Sequence, residues 1–157
     1  KGLYILDKSE KLTDDTFEII DVVQANDMVL ASGYISPLET MKLFGAAKDR
    51  GVRKMIVTHP EEFLEDQLKS LTTLGAYLEY NFLSCMPLTA KISPMGFSAQ
   101  ILKAGIEKSV VTTAFGQPVN PPPSEGMRMA IAALLDSGMS PKNVSSLVKD
   151  NPGELLS

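Results

Sequence analysis

The sequence predicts an α/β fold of repeated strand-then-helix units. Three observations predict it, and two are that short runs rich in Val, Ile, Leu or Tyr recur along the chain and that amphipathic helical segments separate them. A third is that the runs are apolar on both faces, as strands of a parallel sheet covered on both sides must be. The runs are Gly2 to Leu6, Met28 to Ser32, Lys54 to Thr58, Ala76 to Tyr80 and Ser109 to Thr113.

The helices follow from the spacing of apolar residues. Residues 14–25 carry Phe17, Ile19, Ile20 and Val23, and residues 37–50 carry Leu38, Met41, Phe44 and Ala47 before Gly51 as a cap. Residues 61–74 carry Phe63, Leu64, Leu68, Leu71 and Leu74, with Gly75 behind them. Further helices fit 97–106, 125–137 and 141–149. Ser36-Pro37-Leu38-Glu39 is a capping box with proline at the first helical position, and Ser140-Pro141 repeats the serine-then-proline start.

The order is βαβαβαβ, a looser loop over 81–96, then αβαα. Two architectures accept it. One is the C-terminal part of a (β/α)8 TIM barrel, about five βα units of the eight. The other is an open five-stranded doubly wound sheet. In both, function gathers at the carboxyl ends of the strands.

Composition narrows the partners. The 157 residues suit one α/β domain or partial barrel over 1–157, and 44% hydrophobic with 22% charged residues argues against disorder. A net charge of −4 with no Lys/Arg block disfavours nucleic acid. No apolar run is long enough to span a membrane, and no signal peptide is visible. The single Cys85 suits a reducing, cytoplasmic setting. A chain that starts with Lys1 is expected to be processed or to be the C-terminal part of a longer one. A part barrel has unpaired strand edges, so pairing with another copy, or with a missing N-terminal half, is also expected.

At the strand ends stand Asp7-Lys8, Gly33-Tyr34, Thr58-His59-Pro60, Glu79-Tyr80-Asn81 and Ala114-Phe115-Gly116-Gln117. His59, the sole histidine, is either a metal ligand or general base, or simply the residue that bonds to nearby backbone and opens a helix at Pro60. Glu79 either points inward, where its carboxylate needs a partner, or is solvated at the strand end. The proline-packed loop Gly116–Pro123 either holds Gln117 and Asn120 as fixed amide contacts for a ligand or is a stiff connector. Lys8 is a cation near a site or a solvated lysine. No Walker loop, GxGxxG, CxxC, HExxH or GxSxG occurs, which disfavours nucleotide binding through those devices.

Taken in order, these motifs resemble an uncharacterised branch of the metal-dependent amidohydrolase superfamily. The resemblance is carried by Gly33-Tyr34-Ile35-Ser36-Pro37-Leu38-Glu39, Val57-Thr58-His59-Pro60 and Gly75-Ala76-Tyr77-Leu78-Glu79. It continues through Thr112-Thr113-Ala114-Phe115-Gly116-Gln117, Asn120-Pro121, Glu125-Gly126-Met127-Arg128 and the closing Asn151-Pro152-Gly153-Glu154-Leu155-Leu156. It implies a TIM barrel, hydrolysis of amide or ester bonds of a small molecule, and one or two divalent, zinc-like metal ions. It implies His59 as a metal ligand, with Tyr34, Glu79, Asn81 and Gln117 lining a substrate site. The family's paired histidines would lie upstream of Lys1. Tyr34 stands where the family has a histidine, and Ala114 where it has an aspartate. Alanine neither binds metal nor takes a proton, so the alternative is a catalytically degenerate relative with a binding or assembly role.

Overall fold

Helix α1 (Asp14–Ala25) forms where the sequence places it. The Thr13 hydroxyl accepts from Thr16 N–H at 3.3 Å, Asp14 and Asp15 meet the positive end of the helix dipole, and Thr16, Ile20 and Val23 face the core. These residues are seen in a computed structural model that describes residues 4–87, 89 and 91–157. The chain divides into two compact units, the first extending to Leu78 and the second from Glu79 to Leu155.

In the first unit, strand β1 (Leu30–Ala31) pairs in parallel with β2 (Met55–Thr58), Leu30 opposite Met55 and Ala31 opposite Ile56. Between them runs α2 (Pro37–Asp49). Its predicted capping box is present: Ser36 N–H donates to Glu39 Oε2 at 2.9 Å and Glu39 N–H to Ser36 Oγ at 3.3 Å. Gly51 follows this helix with φ +85°, a left-handed turn that favours glycine. Ile20, Phe44, Met55, Val57 and Leu71 are completely buried and form the core of this unit.

Two expectations are corrected here. The helix expected over 61–74 is a 3₁₀ turn, Pro60–Glu62, followed by α3 (Glu65–Thr73). The break comes because Gln67 Oε1 accepts from Leu64 N–H at 2.9 Å and starts a new helix, leaving Leu64 in solvent. The first expected strand, Gly2 to Leu6, begins outside the described residues, and its remainder, Tyr4–Leu6, does not join the sheet. Leu6 instead bridges back, antiparallel, to Leu12. The cause is Asp7, whose Oδ1 accepts from Ser9 N–H at 2.7 Å and Lys11 N–H at 2.9 Å, folding the chain into a turn. The backbone N–H groups of Lys11 and Ser9 hold the Asp7 carboxyl below its ordinary range. Lys8 accordingly sits on this turn and not at a strand end.

Strand β3 (Tyr77–Asn81) leads into the second unit. There a 3₁₀ turn, Phe82–Cys85, is followed by α4 (Pro94–Ala104), β4 (Ser109–Thr112) and α5 (Pro123–Asp136). Helix α4 begins at Pro94, ahead of the expected residue 97. Ser93 caps it, its Oγ accepting from Gly96 N–H at 3.1 Å. Phe97 packs edge-on against Tyr80 and Phe82, with ring centroids 6.3 and 5.9 Å apart. The helix expected over 141–149 becomes α6 (Pro141–Ser145), a π-helical turn (Ser146–Asp150) and α7 (Asn151–Leu156). The buried Asn151 side chain donates to Ile106 O at 2.7 Å and Ser109 O at 2.6 Å, so the Asn-Pro motif here is a latch on the segment entering β4.

The result is a mixed α/β fold in which the strands are hydrogen-bonded neighbours in chain order, β1-β2-β3-β4. No helix of the described residues is long and apolar enough to cross a membrane.

Candidate functional site

The carboxyl ends of β1 and β2 are tied together by small polar side chains. Thr58 Oγ1 donates to Gly33 O, so in its 3.2 Å contact with Ser32 Oγ the serine is the donor. Ser32 Oγ in turn accepts from Thr58 N–H at 3.0 Å. This fixes the two residues that follow, and the Tyr34 and His59 rings meet with centroids 4.5 Å apart and planes 31° apart. Both were expected at the strand ends from the sequence, and the structure brings them together.

His59 has φ 57° and ψ 52°, a left-handed backbone uncommon outside glycine. Such strain persists only where the surroundings impose it, and it concentrates at functional positions. Pro60, which follows it and opens the 3₁₀ turn, disfavours only the right-handed helical alternative at His59. The imidazole is mostly buried and its Nδ1 lies 3.2 Å from Glu61 Oε1. No partner of Nε2 occurs among the described residues. The expected backbone bond of the His59 ring is thus replaced by a carboxylate two residues on. Glu61 was missed in the sequence, because its place on the ring depends on the left-handed backbone of His59. Tyr34 is 86% exposed, open to a ligand on the side away from His59.

In the second unit, Glu79 is half-buried and has a partner: Thr112 Oγ1 on β4 donates to Glu79 Oε1 at 2.9 Å. The Asn81 carbonyl accepts from Ser84 Oγ at 2.9 Å. Gln117 is exposed and engaged by its own loop, its Oε1 accepting from Asn120 Nδ2 at 2.8 Å and its carbonyl from Asn120 N–H at 3.0 Å. The two amides are bonded to each other, which favours the connector reading of the proline-packed loop.

Ala114, after β4, also has a left-handed backbone, at φ 55°. Alanine pays about 1–2 kcal/mol for that conformation, and glycine pays little. Set against the greater freedom of glycine in the unfolded chain, about 0.4–1 kcal/mol, Ala114→Gly is expected to stabilise by roughly 0.5–1 kcal/mol. Thermal unfolding checks it, and an unchanged or lower Tm contradicts it.

His59 Nε2 supplies one donor for a divalent ion, since Glu61 is engaged on Nδ1, and a catalytic zinc-like centre takes three protein ligands. Among the described residues no three His, Cys, Asp or Glu side chains converge. The donors among the described residues therefore do not complete the metal centre that the resemblance implies. A depression of about 260 Å³ lies elsewhere in the first unit, lined by Val23, Gln24, Asp27, Met28, Gly51, Val52 and Arg53. The Asp27 carboxylate there is occupied by Lys54 at 2.7 Å and Arg53 at 2.9 Å, which hold its pKa down.

No curated protein and no solved structure matches the chain. A family model described as a family of unknown function (DUF6282) matches residues 1–79, which include Tyr34, His59 and Glu61. With half of its length matched, the chain belongs to that family of unknown function, DUF6282.

Proposed function

We propose that the chain is hydrolase-like, acting on amide or ester bonds of a small polar molecule, with His59 as the residue that carries the chemistry. The observation behind this is the His59 ring itself: a strained strand-end histidine, braced by Glu61 and Tyr34, with Nε2 unengaged among the described residues. A neutral imidazole so held can take the proton of a water attacking a carbonyl carbon, a role generally worth about 10²–10⁴-fold. A divalent ion bound at His59 belongs to the same proposal, with its further donors coming from outside the described residues. The barrel reading of the fold is also a proposal. It is supported by the order β1-β2-β3-β4, because a doubly wound sheet reverses its strand order at a switch point. β1 and β4 end that order, and pairing of either edge with a further chain is part of the same reading.

The test is hydrolysis of a panel of p-nitrophenyl esters and p-nitroanilides, with and without added zinc. His59→Asn is expected to lower kcat/KM by at least about 100-fold while leaving Tm unchanged. Equal turnover by the variant would overturn the assignment. A second reading, a relative that binds but does not turn over, is favoured by Ala114, which has no group to move a proton. Absence of turnover by the unaltered protein, together with saturable binding of a ligand that Tyr34→Ala weakens, would select it.

A further inference from the structure

Three facts converge on one ring: His59 has a left-handed backbone, Tyr34 covers its face, and Glu61 sits on one of its nitrogens. The third is the informative one. An ionised carboxylate has no proton to give. The 3.2 Å contact between His59 Nδ1 and Glu61 Oε1 is therefore a hydrogen bond only if the ring proton is on Nδ1. A neutral imidazole free in water favours the opposite form, with the proton on Nε2, and the bond made by one nitrogen decides the state of the other.

We infer that Glu61 is a positioning residue that holds His59 in its Nδ1–H tautomer and so presents the Nε2 lone pair to the ligand. The inference relies on the proposed function for its purpose, though not for its geometry. Glu61 can do this because Pro60–Glu62 is a 3₁₀ turn that starts at the left-handed His59 and brings the carboxylate back to Nδ1 two residues later. The side chains of His59 and Glu61 are 20% and 33% exposed, so the bond is partly shielded from competing water. Tyr34 meets the ring in a tilted stack and orients it without selecting a nitrogen. The chemistry at Nε2 follows. A lone pair accepts, so the group brought to it must carry a proton or a positive centre: a water, an amide N–H, an ammonium or a divalent cation.

The chain has one histidine, so its imidazole gives a single set of NMR signals. The test is a long-range ¹H–¹⁵N correlation spectrum at about pH 9, well above the ordinary imidazole pKa of about 6.5. The protein is studied without metal or substrate. The expected pattern is Nδ1–H in the unaltered chain and in Tyr34→Ala, and a shift to predominantly Nε2–H in Glu61→Ala. An Nε2–H pattern in the unaltered chain overturns the inference even if Glu61→Ala does not fold. An Nδ1–H pattern that survives Glu61→Ala overturns it as well. Neither result touches the turnover test of His59→Asn, so the two ideas fail separately.

Discussion

Gly126→Ala is expected to destabilise the second unit by about 1–2 kcal/mol, although the substitution lies inside a helix. Helix propensity alone favours alanine over glycine by about 1 kcal/mol. Space decides the sign against it. A Cβ at Gly126 would collide with Phe115 Cδ2 and stand 2.5 Å from Cε2, and Phe115 is only 4% exposed. Its ring therefore cannot swing into solvent, and overpacking of this kind costs about 1–3 kcal/mol. Phe115→Leu removes the obstructing ring edge. In a double-mutant cycle the alanine should then be tolerated, with a coupling of at least about 1 kcal/mol. A Gly126→Ala protein as stable in urea as the unaltered chain would contradict the close contact.

The larger effect is expected at Asn151. Its amide nitrogen serves two carbonyls, Ile106 O and Ser109 O, on the segment that enters β4. Asn151→Ala removes both bonds, a combined cost of about 1–3 kcal/mol, while Ile106 O keeps the Ser109 N–H at 3.1 Å. Asn151→Asp should be at least as damaging, because a carboxylate turns acceptors toward those same carbonyls. Urea unfolding measures both. If Asn151→Asp proved neutral, the latch would not exist. The π-helical turn just before Asn151 and the helix after it are part of the same device, since they deliver the amide to the buried end of β4.

Much of the fold was legible from local chemistry. Helix α1 was readable because acids at its start and apolar residues at helical spacing agree, and α2 because Ser36 and Glu39 form a reciprocal cap. The meeting of Tyr34 with His59 was readable from their places after neighbouring strands. Other features were hidden for physical reasons. Tyr4-Ile5-Leu6 has the composition of a strand, yet the Asp7 turn offers the backbone nearer partners than a sheet does. Leu64 keeps the spacing of a continuous helix with Leu68 and Leu71, but its own N–H is taken by Gln67, so the side chain lies in solvent. Glu61 reads as a solvated acid in the first turn of a helix. Only the left-handed His59 backbone and the 3₁₀ turn behind it put the carboxylate on the ring. Gln117 and Asn120 have the chemistry of ligand contacts, and nothing in their order reveals that they bond to each other.

His59 is the group proposed to carry the chemistry of this chain. Because no other histidine is present, acylation with diethyl pyrocarbonate addresses it directly. Ester or amide hydrolysis should fall in proportion to modification of one imidazole per chain and return when hydroxylamine removes the label. Full modification of His59 with hydrolysis undiminished would contradict the claim.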